Sequence, residues 1–151
     1  MHRSDKSLAT SILELLGVLN DPRQDWRMMA EAGLDLDPVF LPLLVRLGAW
    51  GAAGVVRLSA HLGRDHSTIS RQLARLESAG LVARSTSPAD ARVRTARLTP
   101  RGEEVVAALA AARDRLLERA LAGWSVDERE TFTRLFGRLA GALSAMVDDA
   151  R

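Results

Sequence analysis

The residues of this chain best suited to chemistry are its arginines. Between Gly54 and Gly102 stand Arg57, Arg64, Arg71, Arg75, Arg84, Arg92, Arg94, Arg97 and Arg101, against only Asp65, Glu77 and Asp90. Nine bases less three acids leave +6 in a chain whose net charge is +2, so the remainder sums to −4. A guanidinium is a planar fork of donors that fits a phosphate or a guanine edge. A basic middle between acidic flanks is the pattern expected of a module that meets phosphate. Lys6 is the only lysine, a bias that a GC-rich genome would also produce.

Other chemistries find little support. The absence of cysteine removes thiol redox sensing, thiolate zinc sites and cysteine nucleophiles. Of the histidines, His2 is terminal, and His61 and His66 flank a turn with only Asp65 near them, which meets no metal-ligand spacing. There is no phosphate-binding loop, no Gly-x-Gly-x-x-Gly and no Gly-x-Ser-x-Gly. Asp21, Asp25, Asp35 and Asp37 read as helix caps and a solvated loop. No catalytic, cofactor or metal site is expected, and the chain does not read as an enzyme. No stretch of about 18 apolar residues exists, and MHRSDKSLATSILELLGVLN lacks a small-residue cleavage site, so a cytoplasmic protein without a membrane partner is expected. At 151 residues one domain can bury a core without disulfide staples.

The elements that must position the arginines follow from periodicity and punctuation. Leu8, Ile12, Leu15, Leu16 and Leu19 recur at helical spacing until Asn20-Asp21-Pro22. Residues 23–37 read as a short helix and a turn at Gly33. Asp37-Pro38 opens an apolar helix with Pro42 in its first turn or at a kink, and Gly48, Gly51 and Gly54 mark its loose end. VVRLSAHLG is a helix of about two turns closed by Gly63. Asp65 caps a longer helix, 66–79, stopped by Gly80. LVARSTS and VRTARLT read as strands around a Ser-Pro-Ala-Asp turn. Thr99-Pro100 starts a helix running to about Ala122, and Ser125 with Glu128 forms a capping box for the last helix. The fold class is mainly α, with a small β wing of two to three strands.

A short helix, a tight turn, a polar helix and a hairpin make a winged helix-turn-helix. On helix 66–79, Ile69, Leu73 and Leu76 share the face that must pack on the core. Ser67, Arg71 and Ser78 fall opposite, with Ala74 and Arg75 beside them and Thr68 and Ser70 on the flanks. This small, polar, basic face suits a major groove about 12 Å wide. Arg64 and His66 at the turn join Ser67, Thr68, Ser70, Arg71 and Arg75 as candidate DNA-binding residues. In the wing, strand parity puts Arg92 and Arg94 on the side that continues inward through Ala96 and Leu98, while Arg97 points the other way. Arg94 is a phosphate candidate. Arg97 and Arg101 read as structural or solvated, paired with nearby acids.

The stretch from Val55 to Gly102 resembles the winged helix-turn-helix core of the MarR family of bacterial transcriptional regulators. The resemblance lies in Leu-Glu-x-x-Gly-Leu-Val-x-Arg at 76–84, Asp-x-Arg at 90–92 and Leu-Thr-x-x-Gly at 98–102. The flanking helices fit in order and length rather than in distinctive residues. The resemblance implies a homodimeric double-stranded DNA-binding regulator, a repressor at a palindromic operator. Residues 38–102 would be the winged DNA-binding part, and residues 1–37 and 103–151 the helical dimerisation region. It also implies that Arg92 reaches the minor groove from a wing spanning 85–95 and that Asp90 orients it.

The apolar stripes of the first and last helices can pack on each other within one subunit. They also exceed what a small winged domain covers, and a two-fold dimer would bury them. Leu8, Ile12, Leu15, Leu139, Leu143 and Met146 are the candidate dimerisation residues. The resemblance further implies a small aromatic or phenolic effector, for which Trp26, Met29, Phe40 and Trp50 are the candidate cleft. The alternative function is a winged-helix module for protein–protein contact without operator binding.

Overall fold

A computed structural model of the chain describes residues 7–86 and 94–148. Helix α1 spans Leu8–Leu19 and is capped by Ser7, whose hydroxyl accepts the Thr10 N–H at 3.2 Å. Helix α2 spans Pro22–Glu31, with Asp21 as its cap and the proline in the first turn, where an N–H would lack a partner anyway. Asp37 caps a 3-10 turn, Pro38–Phe40, that leads into α3, Leu41–Trp50. Pro42 therefore lies in the first turn of α3 and produces no kink.

Helix α4 (Val55–Leu62) and helix α5 (His66–Ser78) follow, joined by a turn at Gly63 whose φ of +61° is a left-handed conformation that glycine adopts without strain. Strands Val82–Thr86 and Arg94–Leu98 pair antiparallel, Val82 with Leu98 and Thr86 with Arg94. A further strand precedes both in the chain. Ala53–Gly54, where the glycine pattern suggested only a loose helix end, pairs with Ala96 and Thr95. These strands are β1 (53–54), β2 (82–86) and β3 (94–98), in sheet order β1-β3-β2. Two residues are too few to show alternation, and the pairing is set by Gly51, whose φ of +73° turns the chain back towards the sheet.

Helix α6, Pro100–Ala120, and helix α7, Val126–Asp148, complete the chain. The fold divides into two compact units, residues 1–113 and 114–151, with α6 running from the first into the second. The core of the first unit joins Leu43, Leu44 and Leu47 of α3 to Leu58 of α4, to Ile69, Leu73 and Leu76 of α5, and to Val82 and Ala96 of the sheet. In the second unit Arg129 ties the helical hairpin together through Glu118 and the Leu121 carbonyl, each at 2.7 Å. Ser125 and Glu128 form the expected reciprocal box, with bonds of 2.7 and 3.2 Å.

Candidate nucleic-acid interface

The α4–turn–α5 unit is built around the second helix. Ile69, Leu73 and Leu76 are buried on the core, as their spacing predicts, and Gln72 lies among them at 7% exposure. The opposite face, Ser67, Arg71, Ala74, Arg75 and Ser78, is exposed and holds no bulky apolar side chain. His66 is exposed as well, and Thr68 and Ser70 are half-buried.

Asp65 holds the N-terminus of α5. Its carboxylate accepts the Thr68 N–H at 2.8 Å, the Thr68 hydroxyl at 2.6 Å and the Ser67 hydroxyl. The Ser67 and Thr68 hydroxyls, with the Thr68 N–H after them, hold this carboxyl well below the usual carboxylate range. A charged group there also matches the positive end of the helix dipole. Both hydroxyl hydrogens are committed to the cap, so a phosphate contact by Ser67 or Thr68 requires it to leave Asp65.

The candidate arginines fall into different settings. Arg71 lies on the exposed face and reaches the Thr68 hydroxyl at 3.3 Å. The Arg75 guanidinium sits 5.0 Å from the centre of the Phe40 ring. Arg64 turns inward: its Nη1 donates to the Val39 carbonyl at 3.3 Å and to Gln72 Oε1 at 3.0 Å. It thereby satisfies a buried amide that would otherwise be costly. Arg84, absent from the expected DNA-binding set, braces the helix from β2. Its Nη2 donates to the Ser70 carbonyl at 2.7 Å and its Nε lies 3.6 Å from Glu77. The arginine of the Leu-Val-x-Arg junction was in view, but not its partner, fourteen positions back in the chain. The spacing of Gln72, three residues after Ile69 and four before Leu76, is the signal that places it on the core face.

In the sheet, Ala96 is buried and Arg94 and Arg97 are both exposed. Asp90 and Arg92 lie outside the described residues. The expected pairing of Arg97 and Arg101 with acids is not found among the described residues. Arg101 instead donates to the Ala79 carbonyl at 3.4 Å, beyond the last turn of α5. That carbonyl faces an arginine rather than water because α6 begins beside the end of α5.

The four residues expected to line an effector cleft differ in exposure. Met29 and Phe40 are buried, at 2% and 4% exposure, while Trp26 is 62% exposed. Trp50 is packed between arginine side chains at the end of α3. An apolar groove does exist in the first unit, lined by Met28, Leu41, Val45, Val106, Leu109, Ala110 and Arg113. Among the described residues no group of three or more His, Asp or Glu is placed to hold a metal ion, and no helix is long and apolar enough to cross a membrane.

Known proteins share this arrangement. The MarR family model matches residues 40–93. The chain is 36% identical over 97 residues to the HTH-type transcriptional regulator YxaD of Bacillus subtilis (strain 168), covering 64% of this chain and 68% of that one. It is 38% identical over 76 residues to the transcriptional regulator HosA of Escherichia coli O111:H-, of which the match spans about half the length, 56%. Among solved structures, a probable transcriptional regulator from Pseudomonas aeruginosa is 34% identical, with a TM-score of 0.57 over 81% of this chain and 93% of that one. A crystal structure of MarR matches with a TM-score of 0.73 at 25% identity, over 99% of this chain and 98% of that one.

Proposed function

This chain belongs to the MarR family of transcriptional regulators, and from that premise we propose that it is a homodimeric repressor that reads a palindromic operator. The observation that carries the reading is α5 itself. Its apolar face is buried and its exposed face is small, hydroxyl-bearing and basic, with Asp65 capping the helix and Arg84 bracing it from β2. In this reading α5 enters the major groove, where Arg71 meets base edges or phosphates, and the wing reaches the minor groove with Arg92, oriented by Asp90. Arg94 meets a phosphate. Arg64 acts by holding Gln72 and the 3-10 turn in place.

Residues 38–102 are the DNA-binding part of this proposal, and residues 1–37 and 103–151 the dimerisation part. The support for a dimer is that neither α1 nor α7 has a buried residue among its described side chains. Leu8, Leu143 and Met146 are 67%, 51% and 70% exposed, and Leu15 is 41% exposed. Ile12 and Leu139 are half-buried. An apolar surface of this kind marks an interaction site. A small phenolic effector fits the groove of Met28, Val45 and Leu109, whose apolar wall suits a ring.

Anisotropy titration of the full chain against its own upstream intergenic duplex, at several salt concentrations, tests the central claim. Tight binding that weakens steeply with salt is expected, because phosphate contacts release counterions. Binding indifferent to salt, or to no duplex at all, would return the chain to a protein–protein module.

A further inference from the structure

Two arginines outside the recognition helix and wing converge on one indole. Arg46 and Trp50 are four residues apart on α3, and Arg57 and His61 are four apart on α4, so each pair shares a helix face. The faces meet at Trp50. The Arg57 guanidinium lies 4.0 Å from the ring centre and that of Arg46 5.1 Å, while the His61 ring packs edge-on at 4.8 Å. A cation over an indole face is favourable, but a ring's quadrupole does not neutralise two charges. Neither arginine has a carboxylate partner among the described residues, and the buried Nε of Arg46 has no hydrogen-bond partner. An anion beside the exposed Arg57 would balance this charge.

Its place in the fold says which anion. Helix α4 starts directly after Gly54, which pairs with Thr95, the neighbour of Arg94 on β3. It is also the first helix of the helix-turn-helix, the one that crosses the sugar–phosphate backbone when the second lies in the groove. We propose that Arg57 and Arg46, stacked on Trp50, form a backbone-phosphate site that extends the DNA footprint beyond α5 and the wing. Trp50 holds the Arg57 fork in one orientation, so less side-chain freedom is lost when the phosphate binds. The inference rests on the DNA-binding reading above.

A free phosphate or another small oxyanion has the same chemistry, and the test separates the two sources. Binding to a mixed-sequence duplex suffices, because a backbone contact is independent of base sequence. The slope of log affinity against log salt is measured for the wild type, Arg57→Gln and Arg57→Lys. Arg57→Gln is expected to reduce the slope by about 0.9 per subunit, the value for one phosphate contact, while Arg57→Lys retains it. An unchanged slope in Arg57→Gln, with the wild type still binding in a salt-dependent way, overturns this site and leaves the regulator reading intact. A wild type that binds no duplex overturns both. Inorganic phosphate is titrated separately, following Trp50 fluorescence in a Trp26→Phe, Trp124→Phe background. Saturation by phosphate with no change in the Arg57→Gln salt slope gives the site to a free anion and overturns the DNA assignment.

Discussion

At Asp65 three donors converge: the Thr68 N–H and the hydroxyls of Ser67 and Thr68. Because these bonds depress the carboxyl's folded pKa, the cap's contribution is full above the unfolded value of about 3.9 and is lost as pH falls from there through the folded value. Asp65→Ala should therefore melt at a lower temperature than the wild type by a constant amount from pH 7 to about 5. The difference should shrink below about pH 4 as the wild-type carboxyl protonates. Asp21, lowered to about 2 mainly by the Arg23 side chain and its backbone N–H, titrates in both proteins and cancels from the comparison. A difference that persists unchanged into acid would show that the charge of Asp65 is irrelevant to the cap. Arg64 shows the same scale from the other side: a residue type suited to DNA is here turned onto Gln72 and the Val39 carbonyl.

Between elements, the decisive contact is the junction of α5 with α6. The Thr99 hydroxyl donates to the Gly80 carbonyl at 2.6 Å and accepts the Gly102 N–H at 3.1 Å, so one side chain caps α6 and ties it to the end of α5. The Thr99 N–H donates to the Leu81 carbonyl at 3.0 Å. Gly102 is needed for this approach, since a Cβ there would lie 2.1 Å from the Leu81 oxygen. The obstructing atom is backbone and cannot swing aside. Gly102→Ala is expected to lower unfolding free energy by about 1–3 kcal/mol, read from a urea melt, in the range of overpacked cores. A neutral or stabilised variant would mean that the two helices separate readily.

Over the whole molecule, α1 and α7 end with more apolar surface than they cover. Phe132, Leu135 and Phe136 are 44%, 47% and 44% exposed, even though Phe132 stacks on Phe136 at 5.4 Å. Light scattering on the eluting protein should find two chains for the wild type. Leu143→Asp places a charge in the proposed dimer surface and should give one chain, with operator affinity reduced more than tenfold, because one subunit reaches only one half-site. A wild type that elutes as a single chain would remove the dimer from the proposal.

What the sequence by itself determined is local in range. Asp21, Asp37, Asp65, Thr99 and the Ser125–Glu128 box all cap as expected, because a cap links groups within about three residues. The core face of α5 was legible for the same reason, since periodicity is a property of neighbours. The long-range arrangements were not. Strand β1 exists only because β3 pairs with it from more than forty residues away. The contacts of Arg64 with Gln72 and the Val39 carbonyl, and of Arg84 with the Ser70 carbonyl, join residues eight to twenty-five positions apart, beyond the reach of local pattern. The burial of Met29 and Phe40 depends on the packing of whole helices, which the spacing of single apolar residues does not encode. Arginine is a long chain with several donors, and its composition signals positive charge while only its neighbours in space decide whether that charge meets a carbonyl, an indole or a phosphate.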